Sequence, residues 1–225
     1  MPAFLDEVIK PFYSTGAPTA LSSYAFGQIF WAPAYYPHQQ LQLWRPLEVD
    51  QKLHTAKNFQ ITPAPADAFK RSLPYTFPPL MNNEEFIALK AKIRPVVLLQ
   101  PPDPSLHTVG KSTGDMKIVR HLCVVAPIFS IVDAVGYSKV PEEFRNRVRC
   151  LDYLQFMFLP AGGPLTLDSV LRLDELQSVA INNLEHTDFC LSEEVKAIFR
   201  SQVGFFLSGS GGEEFLGYRD LLKAE

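Results

Sequence analysis

The chain has 225 residues, of which 47% are apolar, with a formal charge of −3. That length and apolar content suit a globular domain with a sizeable core and exclude the charged, aromatic-poor composition of disorder. The weak negative balance also excludes a broad basic footprint for nucleic acid, though a local cleft of Arg and Lys can still concentrate field on a phosphate.

The N-terminal segment "PAFLDEVIKPFY" reads as a short amphipathic helix stopped by Pro11, followed by the loop "STGAPTALSS". Acidic residues within its first apolar run, and the lack of a basic leader region, give no signal-peptide pattern. The first strand is expected at "GQIFWAP", residues 27–33, where β-branched and aromatic residues lie between Gly27 and Pro33. From Tyr35 to about Met81 the chain is dense in Pro, Gln and aromatics, with short strand candidates in "WRPLEVD" and "KNFQIT". This segment reads as an insertion or elaborate loop, because compact domains rarely hold long structureless connections.

"NNEEFIALKAK" has Asn82 or Asn83 as N-cap and two glutamates in its first turn, which predicts a helix delivering the chain to Arg94. "RPVVLLQ" then predicts a buried strand, closed by "PPDPS". The "GKST" tetrapeptide beyond it lacks the preceding Gly and the flanking elements of a phosphate loop. "RHLCVVAPIFSIV" is the next strand, and the later half of "VPEEFRNRVRCLDYLQFMFLPAGGP" another, ending in a turn. "DSVLRLDELQSVAI" alternates as one or two strands. "SEEVKAIFRSQVGFFL" is an amphipathic helix capped by Ser192, with Val195, Ile198, Phe199, Val203 and Phe206 on one side. Residues 209–225 form a glycine hinge and a final short helix.

Cys123, Cys150 and Cys190 are odd in number, widely spaced and without a CxxC pair, so they are expected reduced and buried, as in a cytoplasmic protein. No run reaches the length of a membrane span. No HExxH, CxxC or clustered His/Asp spacing appears, and no metal or other cofactor is expected.

Four blocks in order, "GQIFWAP", "IRPVVLLQPPD", "CVVAPIFS" and the stretch from "DSVLRLDELQ" to "VGFFL", together cover about half of the chain and resemble the MazF/PemK family of toxin endoribonucleases. The resemblance implies an α+β fold: a small SH3-like β-barrel with a C-terminal helix, forming one domain over 1–225. On that frame residues 1–24 are an N-terminal helical extension, 35–92 an insertion within the barrel and 209–225 a tail helix. It further implies metal-independent cleavage of single-stranded RNA, a homodimer and a cognate antitoxin protein as partner.

Arg94 matches the family's cleft arginine. Its fork is suited to stabilising a pentavalent phosphate, and Pro95 fixes the entry into the strand. The family's catalytic threonine position is occupied here by Phe129, with Ser130 immediately after it. Ser130 replaces the missing hydroxyl only if the strand is bulged or shifted by one residue, since successive strand residues face opposite sides. Phe129 and Trp31 are candidates for stacking on RNA bases, and His121, just ahead of the same strand, for contacting substrate. Glu175 stands where many family members have glutamine and requires an arginine partner in a phosphate cleft.

Blander readings accompany each of these. Arg94 pairing with Asp103 or Glu175 at the rim, His107, His121 and His186 as ordinary hydrogen-bonded residues, and Trp31, Trp44, Tyr35 and Tyr36 as packing groups are all compatible with the sequence. Arg145, Arg147 and Arg149 read either as a phosphate-contacting strip or as an ordinary charged face. Two functions follow: a ribonuclease using Arg94 and Ser130, or a non-catalytic binding module whose insertion meets a protein or nucleic-acid partner.

Overall fold

The computed structural model describes residues 3–36, 39–50, 52–53, 55–70, 79–101 and 122–223. The fold is mixed α+β and dominated by antiparallel pairing. It divides into two compact units, one made of Met1–Ala34 and Lys92–Glu225 and the other of Tyr35–Ala91.

The first unit begins with α1 (Leu5–Val8) and β1 (Tyr13–Thr15), followed by β2 (Gln28–Tyr35), whose last residue falls in the second unit. The second unit holds β3 (Gln42–Asp50), β4 (Thr55–Pro63) and β5 (Ile87–Ala88). The first unit then resumes through β6 (Ala91–Gln100), β7 (Leu122–Ser130), α2 (Glu142–Arg149), β8 (Phe156–Leu159), β9 (Ser169–Arg172), β10 (Gln177–Ala180), β11 (Glu185–Leu191), α3 (Glu193–Ser208) and α4 (Glu213–Lys223). Its sheet runs β1-β11-β2-β6-β7-β9-β8, with β10 also pairing β7. Among the described residues this path does not close into a barrel. Its two ends meet through a side chain instead: Tyr13 Oη donates to the carbonyl of Pro160, one residue beyond β8, at 2.7 Å.

The nearly continuous apolar run of β6 is explained by burial on both faces, the pattern of a strand covered above and below. Val97 joins Ile29, Ala126, Ile128 and the helix residues Val195, Ile198 and Phe199 in the largest core cluster. Val96 and Leu98, on the opposite face, join Phe30, Ala32, Cys123 and Val125 in a second cluster. Gly27 opens β2 with a φ of +86°, and a Cβ there would lie 2.7 Å from Cγ of Lys196, so both the turn and the close approach require glycine. Cys123 and Cys190 are buried, Cys150 is half-buried, and all three thiols are free, with burial pushing each pKa up.

α3 buries Val195, Ile198 and Phe199 as its spacing predicts, and it ends at Gly209 in the left-handed conformation with φ 70°. Gln202 is a polar residue on the same buried side, fully enclosed. Its Nε2 donates to the carbonyls of Leu154 and Phe156, both at 2.9 Å, which ties the helix to the segment entering β8.

The helix predicted over "NNEEFIALKAK" is absent. Asn83 has φ 62°, and Glu84 folds back to accept from the Met81 amide at 2.7 Å, which makes a turn of the intended first helical turn. Glu85 is drawn to Arg45, 2.5 Å away, and the chain continues extended as β5. Cross-strand pairing and this ion pair outweigh the helix-start signal. In the second unit the sheet order is β4-β3-β5. Pro46 is accommodated in β3 because β5 reaches only as far as Gln42 and Leu43, so no ladder partner needs its missing N–H.

Two consequences are measurable. Gln202→Met keeps the volume but leaves two buried carbonyls without donors, and is expected to destabilise by about 2 kcal/mol in urea unfolding. Burial and the nearby Asp168 and Asp6 raise the Tyr13 phenol far above its ordinary value. The unfolded chain therefore ionises this tyrosine from about pH 10 while the folded one keeps it neutral, so stability falls as pH rises past that point. Tyr13→Phe is expected to make alkaline unfolding less steep.

Candidate functional site

Arg94 enters β6 beside Pro95, and the register Val96↔Pro127 continues to place it across from Phe129 on β7. The two side chains meet. The guanidinium carbon of Arg94 lies 4.3 Å from the centre of the Phe129 ring, a cation–π stack. A second guanidinium, that of Arg172 on β9, lies 5.6 Å from the same ring. Arg172 is held as a fork on Asp174, at 2.6 and 3.0 Å, and its Nη1 lies 2.7 Å from Oε1 of Glu175. The Asp174 contact raises the Arg172 pKa further above its ordinary value.

Glu175 ends a 3-10 turn (Leu173–Glu175) and is almost fully buried. It meets the requirement that a carboxylate in this place have an arginine partner, with Arg172 in that role. The result is a packed group of two cations and two carboxylates around one phenyl ring. Such a group is electrostatically balanced and offers a phosphate little net attraction.

Ser130 is not part of it. Phe129 packs with Ile131, Val148, Phe158 and Val170, whereas Ile128 belongs to the main core on the other face. Ser130 shares the facing of Ile128, as period-two alternation demands. No bulge moves it: β7 and β9 run in unbroken register through Ile128↔Leu171, Phe129↔Val170 and Ser130↔Ser169. The shift by one residue that Ser130 needs to replace the threonine is therefore absent, and its hydroxyl points away from the Arg94–Phe129 stack. It accepts instead from Nζ of Lys139 at 2.8 Å.

A pocket of about 210 Å³ lies at this end of the sheet, bordered by Trp31, Lys92, Arg94, Ser130, Thr166 and Ser169 among others. Arg94, Ser130 and Trp31 thus share one concavity, while Phe129 and Glu175 are not in its lining. Lys139, Thr166 and Ser169 went unnoticed in the sequence. For Lys139 the signal was present: the turn "DAVG", residues 133–136, folds the chain so that the Lys139 amide donates to Ile131 O at 2.7 Å, bringing the lysine beside Ser130.

His121, His107, Asp103 and the "GKST" segment lie outside the described residues. His186 Nε2 is 3.2 Å from the Pro18 carbonyl and its ring is 6.0 Å from Phe30, a hydrogen-bonded packing role. The arginines of "EEFRNRVR" form no phosphate strip. Arg145 pairs with Asp168, Arg147 with Asp152, and Arg149 with Asp6 and Glu7 while stacking 3.8 Å from the Phe4 ring. α2 therefore uses its charge to anchor neighbouring segments of the first unit.

In the second unit Trp44 stacks on Phe59 at 4.3 Å and meets Phe86 edge-on at 5.7 Å. Ile61, opposite Trp44 in register, is 60% exposed, and Trp44 itself 42%. Arg45 beside them is engaged by Glu85 and Asp67.

No family model matches the chain, and no curated protein matches it. Among the described residues no group of three or more His, Cys, Asp or Glu is placed to hold a metal ion, and no helix is long and apolar enough to cross a membrane.

The stack around Phe129 has a measurable energy. Phe129→Leu keeps most of the packing but removes the ring face, at an expected cost of about 1 kcal/mol. Phe129→Thr also opens a cavity and is expected to cost about 3 kcal/mol by urea unfolding. A Leu variant as stable as the parent would show that the guanidinium contacts contribute nothing.

Proposed function

We propose that the chain is a MazF/PemK-like binding module in which the family's cleavage centre has become a structural cluster, and that its partner is a protein met by the second unit. One observation carries this reading: the Arg94 guanidinium is stacked on Phe129, while the nearest replacement hydroxyl, Ser130, faces the other side of β7. Cleavage through a 2′-hydroxyl needs cation, base and acid around one phosphorus; Arg94 and Ser130 border one pocket, but the guanidinium is engaged by the Phe129 ring and the hydroxyl by Lys139.

The finer fold assignment belongs to the same proposal. The strand order and the Tyr13–Pro160 bond support an SH3-like barrel left open between its first and eighth strands. The choice of a protein partner rests on the apolar surface of Trp44, Phe59, Phe86 and Ile61. Trp44 and Ile61, exposed side by side on one face, supply apolar surface for such a partner. Arg45, beside these rings, is tied to two carboxylates and is not available to a phosphate.

The ribonuclease reading retains one observation of its own, the pocket where Arg94, Lys92, Ser130 and Trp31 meet. Incubation of the purified protein with a long unstructured RNA in EDTA separates the two. The binding module leaves the RNA intact at high protein concentration. Fragments with 5′-hydroxyl ends that disappear in Arg94→Ala and Ser130→Ala would overturn it in favour of the nuclease, with the homodimer and antitoxin that the resemblance implies.

A further inference from the structure

The first unit carries a second concave surface: a groove of about 520 Å³ bordered by Val8 of α1 and by Glu213, Glu214, Gly217, Tyr218 and Leu221 of α4. Its floor is apolar and open. Val8 is 46% exposed and Leu221 56%, although each helix buries its other side through Leu5 and through Phe215 and Leu222.

Gly217 is the informative residue. Glycine inside a helix costs about 1 kcal/mol relative to alanine, so its presence there needs a reason. Internal packing supplies none, because a Cβ at this position meets nothing within 4 Å. With Glu213 four residues before it and Leu221 four after, Gly217 forms a notch in the middle of the face that borders the groove. Small residues of this kind let a second helix approach closely.

The charges at the rim define that second helix. Glu213 and Glu214 make no ion pair among the described residues, and Glu194, alongside, is the hydrogen-bond acceptor of Tyr218 Oη, which pushes that phenol up to about 12. Of the cations on α4, Lys223 lies 2.6 Å from Asp152, and Arg219 stacks toward Phe215 with Asp220 3.9 Å away.

We propose that the groove between α1 and α4 is a docking site for an amphipathic helix of another protein, one that carries Lys or Arg beside bulky apolar residues. A bulky side chain of the incoming helix seats over Gly217, between Val8 and Leu221, and its basic residues face Glu213 and Glu214. This site is separate from the reading given under Proposed function and does not rest on it.

The test uses the full chain and a fluorescein-labelled synthetic peptide of about 18 residues, or five turns, with leucines at helical spacing and lysines elsewhere. Controls are a scrambled peptide of the same composition and a counterpart with Glu for Lys. Fluorescence anisotropy is expected to show binding of the first peptide alone, weakened about tenfold by Gly217→Trp, which fills the notch, and by Leu221→Ser. Glu213→Gln with Glu214→Gln is expected to weaken binding and flatten its salt dependence. Gly217→Ala provides the folding control, since a notch with no internal role predicts a raised Tm. Equal binding of the scrambled or acidic peptide, or unchanged affinity in Gly217→Trp and Leu221→Ser, would overturn the proposal. So would a dimer in sedimentation that Gly217→Trp dissociates, which would assign the groove to a second copy of the chain.

Discussion

The central constraint on the first unit is that β6 and β7 are buried on both faces. When one side of a sheet faces water, a side chain on the wrong face costs little. When both sides are packed, each position is assigned to one of two cores, and a slip of one residue would exchange Val97 with Val96 and Ile128 with Phe129. This rigidity makes the step from Phe129 to Ser130 decisive. Ser130 lies one residue beyond Phe129, and the packed register holds it on the far face.

The same rigidity sets the surroundings of Arg94. A guanidinium at the mouth of a doubly covered strand cannot remain unsolvated without partners. A phenyl face supplies one of the few apolar surfaces on which a weakly hydrated planar cation is stable. Arg172 approaches the same ring and is balanced by Asp174 and Glu175, so the end of the sheet is held by a mixed aromatic and ionic cluster. α2 repeats the device with Arg147 over Tyr153 and Arg149 over Phe4, each also paired with a carboxylate. Arg147, Arg149 and Arg172 thus each join an aromatic ring to a carboxylate.

Much of the fold was legible in the sequence because it depends on local periodicity. The strands around Ile29, Val97 and Ala126 and the helix bearing Val195, Ile198 and Phe199 follow directly from apolar spacing. Gln202 was overlooked because a glutamine in a helix reads as solvent-facing, and its two carbonyl partners lie more than forty residues away in sequence. The expected helix at Asn82 failed for a related reason: Glu84 and Glu85 have the composition of a first turn, but Arg45 and the Met81 amide claim them. At the candidate site the identity of Arg94, Phe129, Ser130 and Glu175 could be read, and so could the alternation that separates Phe129 from Ser130. The stack with Arg172, and the arrival of Lys139 at Ser130, depend on strand pairing that a single sequence does not display.

Exposed apolar surface completes the argument by locating where selection has tolerated a cost. In the first unit Val8 and Leu221 are about half exposed around a helical glycine that no internal contact requires. In the second unit Trp44 and Ile61 lie exposed side by side, beside an arginine paired with two acids. Neither surface stabilises the folded chain as it stands, since exposed apolar area gains nothing from the hydrophobic effect until something covers it. The two differ in electrostatics: carboxylates border the helical groove, whereas the sheet face is flanked by compensated charge. The proposed partners differ accordingly, a basic helix in the first case and a largely apolar protein surface in the second.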